Sequence, residues 1–268
     1  MYKKLYLIVV FLLITGISCK DAEKDIADLK YGDMIKSSDL ASLQSKIIFF
    51  GHQSVGFNII EGLNSLKLTN SDLDFLKIIT YDEYLKSQTS RDDSSCYFIH
   101  SVVGRNRDPE AKLNEFVNKI DTLGFFDAAL IKFCYADINR FTDVDLMYYK
   151  YIQTISSLAD KYGRTKFVYI TSPLMVKRSF LIRLLKTILN RPDDNINRNK
   201  FNRLLRETND IRIFDLAFLE SHLENDKRVY KVEYLHENYT YDGGHLNKHG
   251  SEKVAYHLLT FLESVFQD

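Results

Sequence analysis

The chain has 268 residues and 45% hydrophobic content, enough for a single domain of roughly 220 residues plus appendages. Its 36 Lys and Arg residues balance 36 Asp and Glu residues, so no positive field favours nucleic-acid binding. Apart from Cys19, only Cys96 and Cys134 are cysteines, and neither has metal-ligand spacing with a partner. The two could pair in an oxidising compartment, but the apolar run around Cys134 favours a buried free thiol.

The N-terminus has the pattern of an export signal. Lys3 and Lys4 precede an apolar run that ends in Ser18-Cys19-Lys20, and this run is too short for a comfortable membrane span. A cysteine after a small residue resembles a bacterial lipobox, although Gly16 replaces the usual leucine. We therefore expect a signal peptide over residues 1–18 and an exported protein of the cell envelope, anchored to a membrane through lipidated Cys19. Ordinary cleavage and an uncleaved anchor are the alternatives.

Beyond Cys19 the pattern predicts a tether and a short lead-in helix over residues 19–45, and one domain over residues 46–268. Within the domain, apolar runs of strand length alternate with segments of helical periodicity. The predicted strands are 46–50, 75–79, 128–133, 167–171 and 211–215. One predicted helix begins after Gly56. The others cover 110–120, 144–162, 178–208 with an interruption near Pro192, and the C-terminal segment. Residues 80–101 are polar and are expected to form a long loop.

This alternation predicts an α/β fold, a three-layer sandwich around a five-stranded parallel sheet. Reactive loops in such sheets lie beyond the carboxyl ends of the strands. Four residues each follow a proposed strand, and one crevice could collect them: Ser54, Gly104, Asp137 and Ser172.

Ser54 is the candidate nucleophile. It lies between Gly51 and Gly56 in a strand–turn–helix segment, where the turn exposes a short side chain and the helix N-terminus stabilises negative charge. As an alternative, Ser54 could simply cap the following helix. A phosphate-binding turn is the other alternative, but the G-x-x-x-x-G-K-[ST] pattern is missing from the sequence.

Asp242 and His245 are three residues apart and enclose Gly243 and Gly244. The glycines permit a tight turn that directs both side chains to one side of a loop. A histidine held by an aspartate has a fixed tautomer and can act as a general base. The alternatives are a helix cap with a surface histidine, and a metal site that uses His245, His249 and Asp242 without the H-E-x-x-H pattern.

These segments resemble the SGNH (GDSL-like) hydrolases, esterases and deacetylases with a flavodoxin-like α/β fold. The run Ile47-Ile48-Phe49-Phe50-Gly51 followed by Ser54-Val55-Gly56 is similar to the first block, which holds the nucleophile. Gly104 before a helix is similar to the oxyanion glycine of the second block. The run from Asp242 to Gly250 matches the last block, Asp-x-x-His-Leu-Asn-x-x-Gly.

Two departures from the family pattern stand out. Gly51-His52-Gln53-Ser54 has one residue more than Gly-Asp-Ser before the serine, and Cys134-Tyr135-Ala136-Asp137 places alanine where the third block has its oxyanion asparagine. Asn106 and Asn139 are candidates to replace that donor.

The resemblance implies a serine hydrolase acting on carboxylic esters, with Ser54, His245 and Asp242 as the triad. It implies an oxyanion hole of the Ser54 and Gly104 N–H groups with Asn106, and neither metal nor organic cofactor. For an exported lipoprotein, a small acetyl ester or an O-acylated glycan is the expected substrate. The alternative is a weakly active or inactive protein of this fold that binds glycan, which the abundant tyrosines (17) would suit.

Overall fold

The computed structural model describes residues 30–87, 92–179, 188–189, 193–224 and 228–267. The predicted signal peptide and Cys19 lie outside the described residues. Among the residues that are described, no helix is both long enough and apolar enough to cross a membrane.

One sheet of six parallel strands forms the middle layer. The strands are β1 (Ile47–His52), β2 (Leu76–Thr80), β3 (Cys96–Val102), β4 (Ala128–Ile131), β5 (Lys166–Ile170) and β6 (Arg212–Phe214). Their spatial order is β2-β3-β1-β4-β5-β6. Without edge strand β2, this is the 2-1-3-4-5 order of flavodoxin-like sheets. The α/β class and the parallel sheet are therefore confirmed.

Helices cover both faces of the sheet. They are α1 (Val55–Thr69), α2 (Tyr81–Ser87), α3 (Pro109–Leu123), α4 (Val144–Lys161), α5 (Asp194–Arg206), α6 (Leu216–Ser221) and α7 (Lys248–Gln267). Short 3₁₀ helices occur at Tyr31–Met34, Ser37–Leu43, Ser71–Leu73 and Glu237–Tyr239. Buried residues of α1, α6 and α7 form one hydrophobic core, and those of α2 to α5 form a second core. The sheet separates these two cores, which gives the predicted three-layer sandwich.

The prediction of five strands was wrong, because the segment expected as a loop over 80–101 contains helix α2 and strand β3. Strand β3 pairs with β1 on one side and β2 on the other, so it lies inside the sheet. The strand mixes polar and apolar residues, with the sequence Cys-Tyr-Phe-Ile-His-Ser-Val. His100 is tolerated there because its imidazole meets the buried imidazole of His52, with His52 Nε2 3.1 Å from His100 Nδ1.

Two other predicted helices differ from the structure. Of the helix expected over 178–208, the part from Asp194 to Arg206 is helical and residues 171–179 are irregular. Residues 180–187 and 190–192 lie outside the described part of the chain. In the expected tether and lead-in segment, residues from Lys30 onward form the first two 3₁₀ helices, and Tyr31, Leu40 and Leu43 are buried in the core that contains α1 and α7.

The order of the strands determines where a crevice opens. The connection after β1 leads to the β2 edge of the sheet, whereas the connection after β4 leads to β5 on the opposite side. The two connections therefore diverge at the carboxyl ends of the neighbouring strands β1 and β4. Ligand sites in open parallel sheets lie at such a point. The turn after β1 carries Ser54, and the loop after β4 carries Tyr135.

Candidate active site

Ser54 has a strained backbone. Its φ is +52° and its ψ is −115°, a combination that residues other than glycine rarely adopt. Such a conformation costs on the order of 1–3 kcal/mol and persists only where the surroundings enforce it. In α/β-hydrolases a sharp strand–turn–helix of this kind exposes the nucleophilic serine. The side chain of Ser54 makes no capping hydrogen bond to helix α1, so the alternative of a simple helix cap is wrong.

The turn around Ser54 is held from three sides. The Gln53 side-chain amide donates to the carbonyl oxygen of Val103 at 3.0 Å and also to that of Gly104. The Gln53 carbonyl accepts from the Gly56 N–H at 3.0 Å and lies 3.4 Å from the thiol sulfur of Cys134. The extra residue in the first block therefore fixes the nucleophile turn to the loops that follow β3 and β4.

The three predicted triad residues meet in one line. Ser54 Oγ lies 2.8 Å from His245 Nε2, and His245 Nδ1 lies 2.7 Å from Asp242 Oδ2. A carboxylate only accepts hydrogen bonds, so Nδ1 carries the proton and Nε2 is free to accept from the serine hydroxyl. Side-chain exposure is 30% for His245 and 42% for Asp242, so the site opens to solvent and a substrate can reach it.

Hydrogen bonds within the loop that carries Asp242 and His245 orient the Asp242 side chain. Its Oδ1 accepts from the backbone N–H groups of Gly244 at 2.9 Å and His245 at 2.7 Å. Gly243 has a φ of +86°, the turn conformation for which glycine is needed. Burial raises the pKa of Asp242, but the hydrogen bonds from His245 and Gly244 and the histidine charge outweigh it and lower the pKa to about 2. Asp242 therefore remains ionised across the physiological pH range.

The predicted oxyanion hole is only partly available. Among the described residues, no backbone acceptor is found for the Ser54 N–H, so this donor remains available. The Gly104 N–H donates to Glu115 Oε2 at 2.7 Å, so it is already occupied. Gly104 also has a φ of +53°, and a Cβ there would lie 2.5 Å from the Lys112 backbone nitrogen. Its glycine identity thus has a structural reason.

The two asparagines proposed as substitutes have their side-chain oxygens bound, which leaves their amide N–H groups able to donate. Asn106 is exposed, and its side-chain oxygen accepts from Lys112 Nζ at 3.0 Å. The side chain of Asn139 accepts from the Phe141 N–H at 2.9 Å within its own loop. Asp137 accepts from the Cys134 N–H at 2.7 Å and forms a buried ion pair with Lys112, so it shapes the loop after β4.

Sequence reasoning missed Tyr135 as a member of the site. Its ring meets the His245 imidazole edge-on, with 5.7 Å between ring centroids and 73° between ring planes. It also lies against Gly244, where a Cβ would be 3.4 Å from the phenol oxygen. The available signal was its position, directly after β4 and next to the alanine that replaces the family asparagine.

The metal alternative has no support in the position of His249. Its ring packs against those of Tyr31 and Tyr239, at 5.6 Å between centroids in each case, whereas His245 faces Ser54. Among the residues described, no group of three or more His, Cys, Asp or Glu side chains could hold a metal ion. Cys96 and Cys134 are both buried and unpaired.

Comparisons with known proteins find likeness in structure but not in sequence. No protein-family model matches the chain, and no curated protein sequence matches it. A Bacteroides fragilis protein assigned provisionally as an acylhydrolase superposes with a TM-score of 0.48 at 16% identity, covering 82% of this chain and 85% of that one. A GDSL-like lipase from Bacteroides thetaiotaomicron gives 0.40 at 14% identity, covering 92% and 96%.

A peptidoglycan O-acetylesterase gives a TM-score of 0.41 at 11% identity, covering 66% of this chain and 49% of that one. The likeness of these three solved structures to the chain is one of fold.

Proposed function

We propose that this protein is a serine hydrolase of the SGNH type that cleaves carboxylic esters. The observation that carries the proposal is the continuous line from Ser54 Oγ through the His245 ring to Asp242, with both junctions at hydrogen-bonding distance. The strained backbone of Ser54 supports it, since strain of this kind concentrates at functional residues.

The chemistry follows from the donors and acceptors in that line. Ser54 Oγ attacks the ester carbonyl carbon while its proton passes to His245 Nε2, and the carbonyl π electrons move onto oxygen. The C–O bond to the alcohol then breaks, and His245 returns the proton to the departing alkoxide. A water molecule repeats the sequence on the acyl-serine and releases the carboxylic acid. Asp242 stabilises the imidazolium in both halves.

An acetyl ester, on a small alcohol or on a glycan, is the substrate class we propose. The half-exposed triad accepts a substrate from solvent without any further opening. We further propose an exported, lipid-anchored protein, on the N-terminal pattern that ends at Cys19. Cys19→Ala should move the protein from the membrane to the soluble fraction, and an unchanged distribution would contradict the anchor.

The test uses full-length protein in detergent and the chromogenic ester p-nitrophenyl acetate. Ser54→Ala should lower kcat/KM by roughly 10⁴–10⁶. Ser264→Ala is the matched control, because that hydroxyl is exposed on α7 and, among the described residues, bonds only the Phe261 carbonyl of its own helix. This variant should leave the rate unchanged. A fluorophosphonate probe should label wild type at Ser54. Equal rates for Ser54→Ala and wild type, or tight glycan binding without any hydrolysis, would contradict the proposal.

A further inference from the structure

The proposed reaction needs more oxyanion stabilisation than the predicted donors supply. Negative charge develops on the carbonyl oxygen in the transition state, and donors about 2.7–3.1 Å from it provide much of the rate enhancement. Of the expected donors, the Gly104 N–H is bound to Glu115 and Ala136 has no polar side chain. The Asn106 side chain is exposed and its oxygen binds Lys112, so only its amide N–H could contribute. In the turn that holds the nucleophile, the Ser54 N–H is the expected donor that remains.

A phenol lies beside the nucleophile. The Ser54 side chain is close enough to the phenol to lower the pKa of Tyr135, against the larger effect of burial, which raises it. The same ring contacts the His245 imidazole and Gly244. Tyr135 is thus placed where the attacked carbonyl must come, next to the serine oxygen and the general base.

The loop segment that carries Tyr135 is held in advance of any substrate. The backbone carbonyl oxygen of Tyr135 accepts from Arg198 Nε at 2.9 Å, and the guanidinium carbon lies 5.8 Å from the Tyr135 ring centroid. Arg198 is only 3% exposed and is itself fixed by Asn195, at 2.6 Å. One residue earlier, the Cys134 N–H is bound to Asp137. A donor held this way needs little reorganisation in the transition state, which is the condition for effective stabilisation.

We infer that the Tyr135 hydroxyl is an oxyanion-hole donor and replaces the asparagine that this chain lacks. It donates a hydrogen bond to the carbonyl oxygen together with the Ser54 N–H, and no proton is transferred. The inference rests on the proposed ester hydrolysis. Burial raises the pKa of Tyr135 more than the contact with Ser54 lowers it, so the phenol keeps its proton under neutral and mildly alkaline conditions.

Tyr135→Phe is the direct test, since it removes one oxygen and keeps the ring packing. We expect kcat for p-nitrophenyl acetate to fall on the order of 10²-fold with KM nearly unchanged. Affinity for an arylboronic acid, which forms a tetrahedral adduct with the serine, should fall in parallel. Tyr241→Phe is the matched control, because this ring also faces His245, at 6.4 Å between centroids, but is 71% exposed; its kcat should stay within about threefold of wild type.

A second measurement separates hydrogen bonding from packing. A fluorinated tyrosine at position 135 keeps the shape of the side chain but has a more acidic phenol, so the alkaline fall of kcat/KM should move to lower pH. An unmoved alkaline limb, or a Tyr135→Phe variant as active as wild type, would overturn the role of Tyr135 while Ser54 still reacts with fluorophosphonate. If wild type neither hydrolyses esters nor is labelled at Ser54, the proposed function itself fails, and this inference with it.

Discussion

The spacing of two helices sets the distance between the nucleophile and its base. Helix α1 begins directly after Ser54, and α7 begins three residues after His245. The two helices pack against each other at Gly62, where a Cβ would lie 2.6 Å from the Ser251 carbonyl carbon and 3.0 Å from the Ala255 Cβ. These neighbours are backbone and a short side chain, so they cannot rotate away.

Gly62→Ala should therefore be unfavourable despite better helix propensity. Alanine gains about 1 kcal/mol over glycine inside a helix, whereas overpacking a well-packed contact costs about 1–3 kcal/mol. Because the clash involves backbone, we place the cost at the upper end and expect a net loss of about 1–2 kcal/mol. For a domain of this size that lowers Tm by about 2–8 °C.

The same substitution should reduce activity by moving the triad apart. Relieving the clash requires the helices to shift by a large fraction of an ångström, and a misplacement of about 1 Å can cost about 10²-fold in rate. Melting temperature and kcat for p-nitrophenyl acetate, the latter measured well below the melting transition, test the two effects. Gly163→Ala is the matched control, since no atom lies within 4 Å of its Cβ position. A Gly62→Ala protein as stable and active as this control would refute the reasoning.

Three further predictions concern buried and catalytic charges. Burial, with the His100 and Lys132 charges, lowers the pKa of His52 to about 2. In the unfolded chain this imidazole takes up a proton near pH 6.5. The free energy of unfolding should therefore fall as the pH drops below about 6.5, by roughly 2 kcal/mol at about pH 5. Guanidinium melts at about pH 8 and pH 5 should show this slope in wild type and less of it in His52→Phe. Lys112→Met should cost about 3–5 kcal/mol in the same assay, because it leaves the buried Asp137 carboxylate without its ion pair; a loss under about 1 kcal/mol would contradict this. Asp242→Asn should lower kcat by about 10⁴ through the wrong histidine tautomer, and a rate near wild type would show that the aspartate does not orient its histidine.

The three residues of the proposed triad could be predicted from the sequence because each half lies in a short local pattern. Asp242 and His245 belong to one tight turn with glycines between them, and Ser54 follows a fully apolar strand. Strand β3 escaped prediction for a physical reason, since His100 and Ser101 interrupt its apolar pattern. Central strands of a sheet usually consist of apolar residues, but here His100 contacts another imidazole, that of His52 in β1. This contact cannot be predicted from the local sequence.

The oxyanion donors could not be predicted in the same way. Resemblance directs attention to Gly104 and to asparagines, but whether an N–H is free depends on a distant acceptor. Glu115, eleven residues further along, occupies the Gly104 N–H. Tyr135 enters the site because β4 pairs with β1, which brings the loops after both strands together. Such pairings follow from the tertiary structure, so they appear only once the sheet is assembled.

The strain at Ser54 connects the stability of the fold to the reactivity of the site. Without its surroundings, the Ser54 backbone would relax from its φ of +52°. The preceding residue prevents this, because the Gln53 side chain is bound to the loop after β3 and the Gln53 carbonyl is bound to Gly56 and Cys134. Relaxing Ser54 would require breaking these bonds, each worth about 0.5–1.5 kcal/mol, against strain on the order of 1–3 kcal/mol. The free energy of these hydrogen bonds is comparable to the backbone strain. The turn at Ser54 therefore keeps its conformation only while the loops after β3 and β4 are in place. The residue inserted before the serine thus makes the nucleophile's geometry depend on the assembled sheet.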